Sequence, residues 1–463
     1  AWSDTFTTSA IPAREAAAAR FKAVFAMSTS AAVLGLGYII GIEYAAIIMA
    51  GSLLSFFVLV PMFGFLSPQY AALPFNEIFT GTKDALLPGV KNIGIGGIFA
   101  AGIISIIRMS PVIRQALRQM LSQLAKKHGP DGAAQSRLEM DIRMPVVIGL
   151  LIALFIAIFA YFRLAVLSDQ QSPTLLAFVA TMLAFVIVFL FSAVSAWAVA
   201  MISVTPISGM TLTTLIIAAV SMAAIGLAGR SGMMAILLIG GVVCTALSMS
   251  GSLVTQFKIG QWLGSTPRSI QWSNIAGSAV ASITVTLVIM LFARIYGYGS
   301  PTIEHPNPLA APQASAMAAV TNAFLGGKGA PWALYVLGAV ISVIISMLGI
   351  SALAFALGMY LPIELNSPIL LGACVAWLVK RSTADAKLSK ARHDRGILIA
   401  SGLIAGGALA GVFDGFTKMA AEYGRFTIPQ AGYSEGLQNW LGLAVFLVLA
   451  TLLYIDSRRA RTE

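Results

Sequence analysis

Charge is what this chain of 463 residues has least of. Only 10% of its residues are Asp, Glu, Lys or Arg, against roughly a quarter in ordinary soluble domains. With 58% hydrophobic residues, a soluble domain of this size could not hide its apolar surface, and lipid is the natural solvent for the excess. Cysteine is nearly missing. Cys244 and Cys374 each lie inside an apolar run without paired spacing, which excludes a disulfide framework and a zinc site and leaves buried structural thiols. Histidine is as scarce: His128, His305 and His393 all fall in predicted loops, with no metal-ligand spacing among them. There is no phosphate-cradling Gly-rich loop and no Gly-x-Ser-x-Gly elbow, so the enzymatic templates stay empty and neither a catalytic residue nor a cofactor is expected.

The net charge of +11 would suit a nucleic-acid binder, but its distribution does not. The bases collect in short polar loops between long uncharged stretches, which is the positive-inside pattern of a membrane protein rather than a basic groove. The charge-free stretches predict helical spans at 25–40, 44–65, 92–107, 145–162, 175–200, 207–227, 232–247, 273–292, 331–348, 349–361, 368–379, 396–413 and 437–454. Two of these, 349–361 and 368–379, are short against the ~20 residues of a full crossing and read as half-helices or re-entrant segments. Arg108, Arg114, Arg118, Lys126, Lys127, Arg137 and Arg143 place the loop 108–143 in the cytoplasm, together with 380–395 and the basic tail. Within that first loop, Ser110-Pro111 followed by Ile113, Leu117, Met120, Leu121 and Leu124 predicts a separate interfacial amphipathic helix.

What the chain does have is Gly and Pro beside polar groups inside apolar runs. Thr205, Pro206, Ser208 and Gly209 sit in one long charge-free stretch. A broken helix at membrane depth survives only where its freed carbonyls meet protein or a water-filled cavity, and such breaks form substrate and ion sites in transporters; a short interhelical turn reads equally well. Ser250 and Gly251 belong to a second small-residue break, or to a loop between spans, leading to Lys258. That lysine binds an anionic group or marks the cytoplasmic face. Burying an acid in a membrane costs several kcal/mol unless it is protonated or paired. Glu43, with Tyr44 beside it, is therefore the candidate proton carrier, or else makes a fixed interhelical hydrogen bond; Glu364 and Asp414 follow it. One internal echo aligns Tyr38 to Glu43 and Gly51 with Tyr360 to Glu364 and Gly372, with gaps, in opposite predicted orientations. The expected fold class is all-α: a polytopic helical membrane protein with a duplicated, inverted repeat and broken or re-entrant helices, its partial first repeat at 1–167 and its second at 168–463.

Six ordered blocks carry a resemblance. They are Gly37 to Tyr44, Ile93 to Ile98, Val204 to Thr211, Ser250 to Gly260, Ala356 to Pro362 and Gly402 to Gly407. Together they resemble the oligopeptide transporter (OPT) superfamily, especially its bacterial branch. The resemblance implies up to about 16 membrane segments of about 20 residues each and an upstream helical portion ahead of this chain. It also implies proton-coupled uptake of short peptides across the bacterial inner membrane; a sister branch, the yellow-stripe-like carriers, moves metal–chelate complexes. Family members usually carry Pro before the Glu of the first block and an acid two residues before the lysine, where this chain has Ile42 and Gln256. The expected partners are the bilayer, protons and a small peptide or metal chelate, with no nucleic acid and the oligomeric state left open. The expected substrate pathway runs through Tyr44, Thr205, Pro206, Ser208, Gly209, Ser250, Gly251 and Tyr360. A channel or a non-transporting scaffold is the alternative of a different class.

Overall fold

The computed structural model describes residues 5–7, 22, 25–82, 87–125, 137–202, 207–227, 229–298, 309, 314, 317–318, 321, 331–422 and 435–460. Among these, eight helices are long and apolar enough to cross a membrane. The only paired strands of the described residues are β1 (Thr5–Thr7) and β2 (Ala26–Ser28), a three-residue antiparallel ribbon. The chain is a polytopic all-α membrane protein. It forms two compact units, the first built from Ala1–Ala101, Met290–Leu309 and Pro331–Glu463, the second from Gly102–Ile289 and Ala310–Ala330.

In the first unit, α1 (Ala31–Ile40) ends at Gly41, and α2 (Ile42–Leu53) continues through a wide turn of helix at Leu54–Leu59 into α3 (Val60–Leu66). A short α4 (Phe75–Thr80) precedes α5 (Lys91–Ala125), of which residues 91–101 belong to this unit. Further along, α11 (Trp332–Met347) leads to α12 (Ala352–Tyr360), a break at Leu361-Pro362, and α13 (Ile363–Lys380). Two long helices, α14 (Ala386–Glu422) and α15 (Glu435–Ser457), close the unit.

Backbone contacts at four glycines fix how the two broken helices meet. A Cβ on Gly37 would collide with the Ile369 carbonyl oxygen, and one on Gly372 with that of Leu34. Beyond the breaks, Gly51 lies equally hard against the Phe355 carbonyl and Gly358 against that of Ile48. Each pairing steps forward on one helix and backward on the other, so α1–α2 and α12–α13 run antiparallel. The same shift carries Gly37 to Gly358, Ile48 to Ile369, Leu34 to Phe355 and Gly51 to Gly372, which makes the contacts two copies of one pattern related by a local two-fold. Two antiparallel copies of a repeat are what an inverted duplication produces. The alignment it dictates has no gaps: Ser30 matches Ser351, Ile42 matches Ile363 and Glu43 matches Glu364, while Tyr38 falls on Met359 and not on Tyr360 as the sequence echo suggested. With lipid as solvent there is no hydrophobic force between helices, and small residues let backbones approach to the distance of Cα–H···O contacts.

Four further expectations are corrected. The predicted span at 25–40 is the strand β2 followed by the ten-residue α1. The segment expected to be short at 368–379 is the 18-residue α13, itself long and apolar enough to cross a membrane, while α12 stays short at nine residues. The amphipathic helix predicted from Ser110 is not separate: Pro111 lies within the 35-residue α5. His393, placed in a loop from sequence, sits in α14 with its ring stacked 5.6 Å from that of Tyr38.

The second unit holds α6 (Met144–Tyr161), α7 (Pro173–Ile202), α8 (Ile207–Ala224), α9 (Gly229–Leu263) and most of α10 (Pro267–Ile295). Helix α9 is its spine, packed along α7 and α8. The sequence break at 248–252 is not one: α9 runs through it as a single helix. Ser250 bonds back to its own helix there, donating to Leu247 O at 2.9 Å, and Ser195 of α7 donates to the same carbonyl at 2.8 Å. By contrast α6 buries none of its residues, as befits a helix facing hydrocarbon.

The crossing predicts a sign reversal among glycine substitutions. Ala is ordinarily about 1 kcal/mol better than Gly inside a helix, so Gly149→Ala, with nothing within 4 Å of the new Cβ, leaves or raises the detergent-solubilised Tm. Gly37→Ala and Gly358→Ala instead lower it, by the roughly 1–3 kcal/mol of an overpacked contact.

Candidate functional site

The two breaks use different devices. Gly41 has φ 85°, a left-handed conformation that favours glycine. Its counterpart is Pro362 at φ −59°, following Leu361 in an extended conformation. Proline supplies no N–H to continue the ladder, so the carbonyls ending α12 are released. They are captured by side chains: Ser52 donates to Gly358 O at 2.8 Å and Ser55 to Met359 O at 2.9 Å. Asn366 Nδ2 lies against Ser52 Oγ and within 3.4 and 3.5 Å of Gly358 O and Leu361 O. All three side chains are buried.

At the first break these donors are absent. Under the repeat alignment Ser52, Ser55 and Asn366 correspond to Ala373, Ala376 and Ala45. The Gly41 N–H bonds Gly37 O at 3.2 Å, while the carbonyls of Tyr38, Ile39 and Ile40 receive no donor from the described residues. Glu43 follows in the first turn of α2, where the helix dipole favours a carboxylate. It is exposed, as is Tyr44. Glu364 holds the matching place in the first turn of α13 and is half-buried. The repeat alignment matches Glu43 with Glu364, so each acid stands in the first turn after the break of its own helix. Tyr360 is buried at the end of α12, its backbone against Gly94 of α5.

The other expected residues lie elsewhere. Asp414 on α14 pairs with Lys418 at 2.8 Å and accepts the Tyr296 hydroxyl. Burial, outweighing the neighbouring ammonium, pushes the Tyr296 phenol above its usual range. Lys258 is exposed on α9, donating to Gln261 at 3.1 Å beside the Trp262 ring. Ser208 and Gly209 fall in the first turn of α8, and Thr205 and Pro206 lie outside the described residues.

A second polar feature occupies the second unit. An open groove of about 660 Å³ lies between α9 and α10, lined among others by Ser252, Gln256, Ser269, Ser273, Asn274 and Ser278. Gln256 donates to Ser252 Oγ at 3.0 Å and accepts from Asn274, which also donates to Ile270 O at 3.0 Å. No charged side chain lines the groove. Sequence reasoning reached Gln256 but missed Asn274, Ser52, Ser55 and Asn366. Their signal was visible only as isolated hydroxyls and amides at helical spacing in apolar runs.

Comparison with known proteins decides the family. The family model for the OPT oligopeptide transporter protein matches residues 1–417. The chain belongs to the OPT oligopeptide transporter family. One OPT relative, the "Putative oligopeptide transporter" of Haemophilus influenzae, is 28% identical over 461 residues, covering 91% of this chain and 71% of its own length. No solved structure matches this OPT chain.

The capped break yields a stability prediction. Ser55→Ala strands the Met359 carbonyl in a buried setting and should cost about 1–3 kcal/mol, read as a lower Tm in detergent. Ser250→Ala should cost less, because Leu247 O keeps the Ser195 hydroxyl.

Proposed function

We propose that this OPT transporter is a multi-pass carrier of the bacterial inner membrane that imports short peptides by coupling them to protons. The observation that carries the reading is the pair of matched acids, Glu43 and Glu364, each in the first turn after the break of one of two antiparallel broken helices. A carboxylate at membrane depth costs several kcal/mol, and protonation removes most of that cost. An acid that takes a proton on one side and loses it on the other therefore makes passage conditional on the proton. Asp414 is the third acid of the proposal and differs in holding Lys418 and Tyr296 as partners.

Peptides suit the groove between α9 and α10. Its amide and hydroxyl groups are neutral donors and acceptors, matched to a substrate whose repeating unit is an amide. Ser250 and Gly251 on α9, Tyr44, Tyr360, Lys258 and the segment from Thr205 to Gly209 complete the proposed pathway. The repeat extends beyond the crossing, with 1–167 holding the first copy and 168–463 the second; the matched segments at 30–53 and 351–374 fall one in each. Yellow-stripe-like carriage of a metal chelate remains the second reading, because a chelate that saturates its metal asks for no His or Cys ligands.

The test is uptake in proteoliposomes. An inwardly directed proton gradient should drive saturable accumulation of a labelled tripeptide, and unlabelled peptide should compete where metal chelates do not. Glu43→Gln and Glu364→Gln should each abolish gradient-driven accumulation while sparing peptide exchange; accumulation at the unaltered level would remove that acid from coupling. Competition by chelates alone would replace the peptide reading with the second one.

A further inference from the structure

Helices α9 and α10 form a hairpin that turns at Gly264, φ 71°. They face each other through residues three and four apart, Ser252 and Gln256 on one helix and Asn274, Gly277 and Ser278 on the other. The two helices stand apart: only Leu291 of α10 is buried, and the space between them is the open groove described above. Among the described residues, two polar side-chain contacts cross it. Asn274 Nδ2 donates to Gln256 Oε1, and the Ser278 hydroxyl lies 4.0 Å from the Met249 sulfur. Polar side chains in membrane segments face a protein interior or a water-filled cavity, so the groove opens to water and not to hydrocarbon.

The bridge between Gln256 and Asn274 has a fixed sense. Asn274 Nδ2 also donates to Ile270 O at 3.0 Å; the opposite amide orientation would set two oxygens against each other. Gln256 therefore accepts through its oxygen, and its nitrogen donates to Ser252 Oγ at 3.0 Å. A side-chain amide carries two N–H groups and one acceptor oxygen. Among the described residues, one Gln256 N–H is left without an acceptor and Asn274 Oδ1 without a donor. Gly277, one turn on from Asn274, has nothing within 4 Å of the place of a Cβ, so that face has room for a chain. A free donor and a free acceptor on two bonded amides are what a β-strand offers its neighbour. A residue of an extended chain turns its own N–H and C=O to one side, and a ladder partner answers both. A single trans peptide unit does not fit, because its N–H and C=O point opposite ways. We infer that Gln256 and Asn274 are the specificity-determining pair of the groove, binding the C=O and N–H of one residue of a short peptide held extended. The ligand class is peptide main chain, and the inference rests on the peptide reading above.

The pair is tested by equilibrium binding to the purified full chain in detergent, which needs no transport. The probes are trialanine, whose central residue alone has an amide on both sides, and its depsipeptide with lactate in place of that residue. The ester oxygen removes the N–H and leaves Asn274 Oδ1 unmatched. The depsipeptide should bind about ten-fold more weakly than trialanine, the effect of one hydrogen bond left unmade. In Asn274→Ala the two probes should bind alike, a loss of discrimination that a merely structural role for Asn274 would not produce. Gln256→Glu keeps the oxygen that accepts from Asn274 and puts an oxygen where the free N–H was. It should weaken both probes about ten-fold with their ratio kept, and it serves where Asn274→Ala fails to fold. Ser282→Ala, which removes a hydroxyl bonded to Ala279 O at 2.8 Å outside the groove, should change neither affinity. Equal binding of the two probes by the unaltered chain overturns the inference and leaves the peptide reading standing. So does an undiminished ratio in Asn274→Ala, or unchanged affinity in Gln256→Glu. Binding of neither probe overturns both. Absent uptake with the probe ratio intact would sink the transport reading and leave the pair in place.

Discussion

The first unit depends on backbone touching backbone. At the four matched glycines the carbonyl of one helix rests where a side chain of the other would begin, and no larger residue fits without moving a helix. That contact does three things at once. It locks the two broken helices antiparallel, it fixes their register, and it holds both breaks between the contacts of Gly37 and Gly372 and those of Gly51 and Gly358. In lipid, where apolar side chains gain little by leaving the solvent, such close approach is the available source of specificity.

A two-fold relation between inverted repeats offers a carrier two equivalent arrangements, each the mirror in role of the other. Here the equivalence holds for helix direction and glycine contacts and fails for polar groups. Ser52, Ser55 and Asn366 tie α12 to its neighbours, whereas Ala373, Ala376 and Ala45 leave α1 untied. A break whose carbonyls are bonded within the protein is a fixed element. A break whose carbonyls are open can have its energy changed by whatever occupies it, which is the condition for a ligand to bias one arrangement over another.

Much of this was legible in the sequence because lipid imposes simple rules. Scarce charge and long apolar runs marked the helices, and α6, α7, α8 and α11 fall within a few residues of the spans expected from them. Six short blocks were enough to indicate the family. The errors came where Gly and Ser were read as punctuation. At 248–252 Ser250 bonds back to the Leu247 carbonyl and α9 continues, so small polar residues alone do not end a helix. At Gly41 the same residue type does end one, because the break there is held by a tertiary contact on each side. The internal repeat was seen but misregistered by one residue at Tyr38: two tyrosines drew the eye, while the feature shared by both copies is the glycine that meets a carbonyl. Asn366 and Ser55 stayed invisible for the same reason, since their role is defined by a partner about 300 residues away and not by their neighbours in the chain.

The two units divide polar chemistry in an instructive way. The groove of α9 and α10 is lined by hydroxyls and amides that already bond one another, Gln256 to Ser252 and Asn274 to Gln256. Such a surface can exchange its internal bonds for those of an amide-rich ligand at little net cost, since neutral hydrogen bonds trade nearly evenly. The crossing has the opposite character: among the described residues, no side chain bonds Glu43, Glu364 or the carbonyls that end α1. A neutral surface whose bonds trade evenly and an acidic one placed beside helix breaks set different chemical demands, and the chain keeps them on different helices.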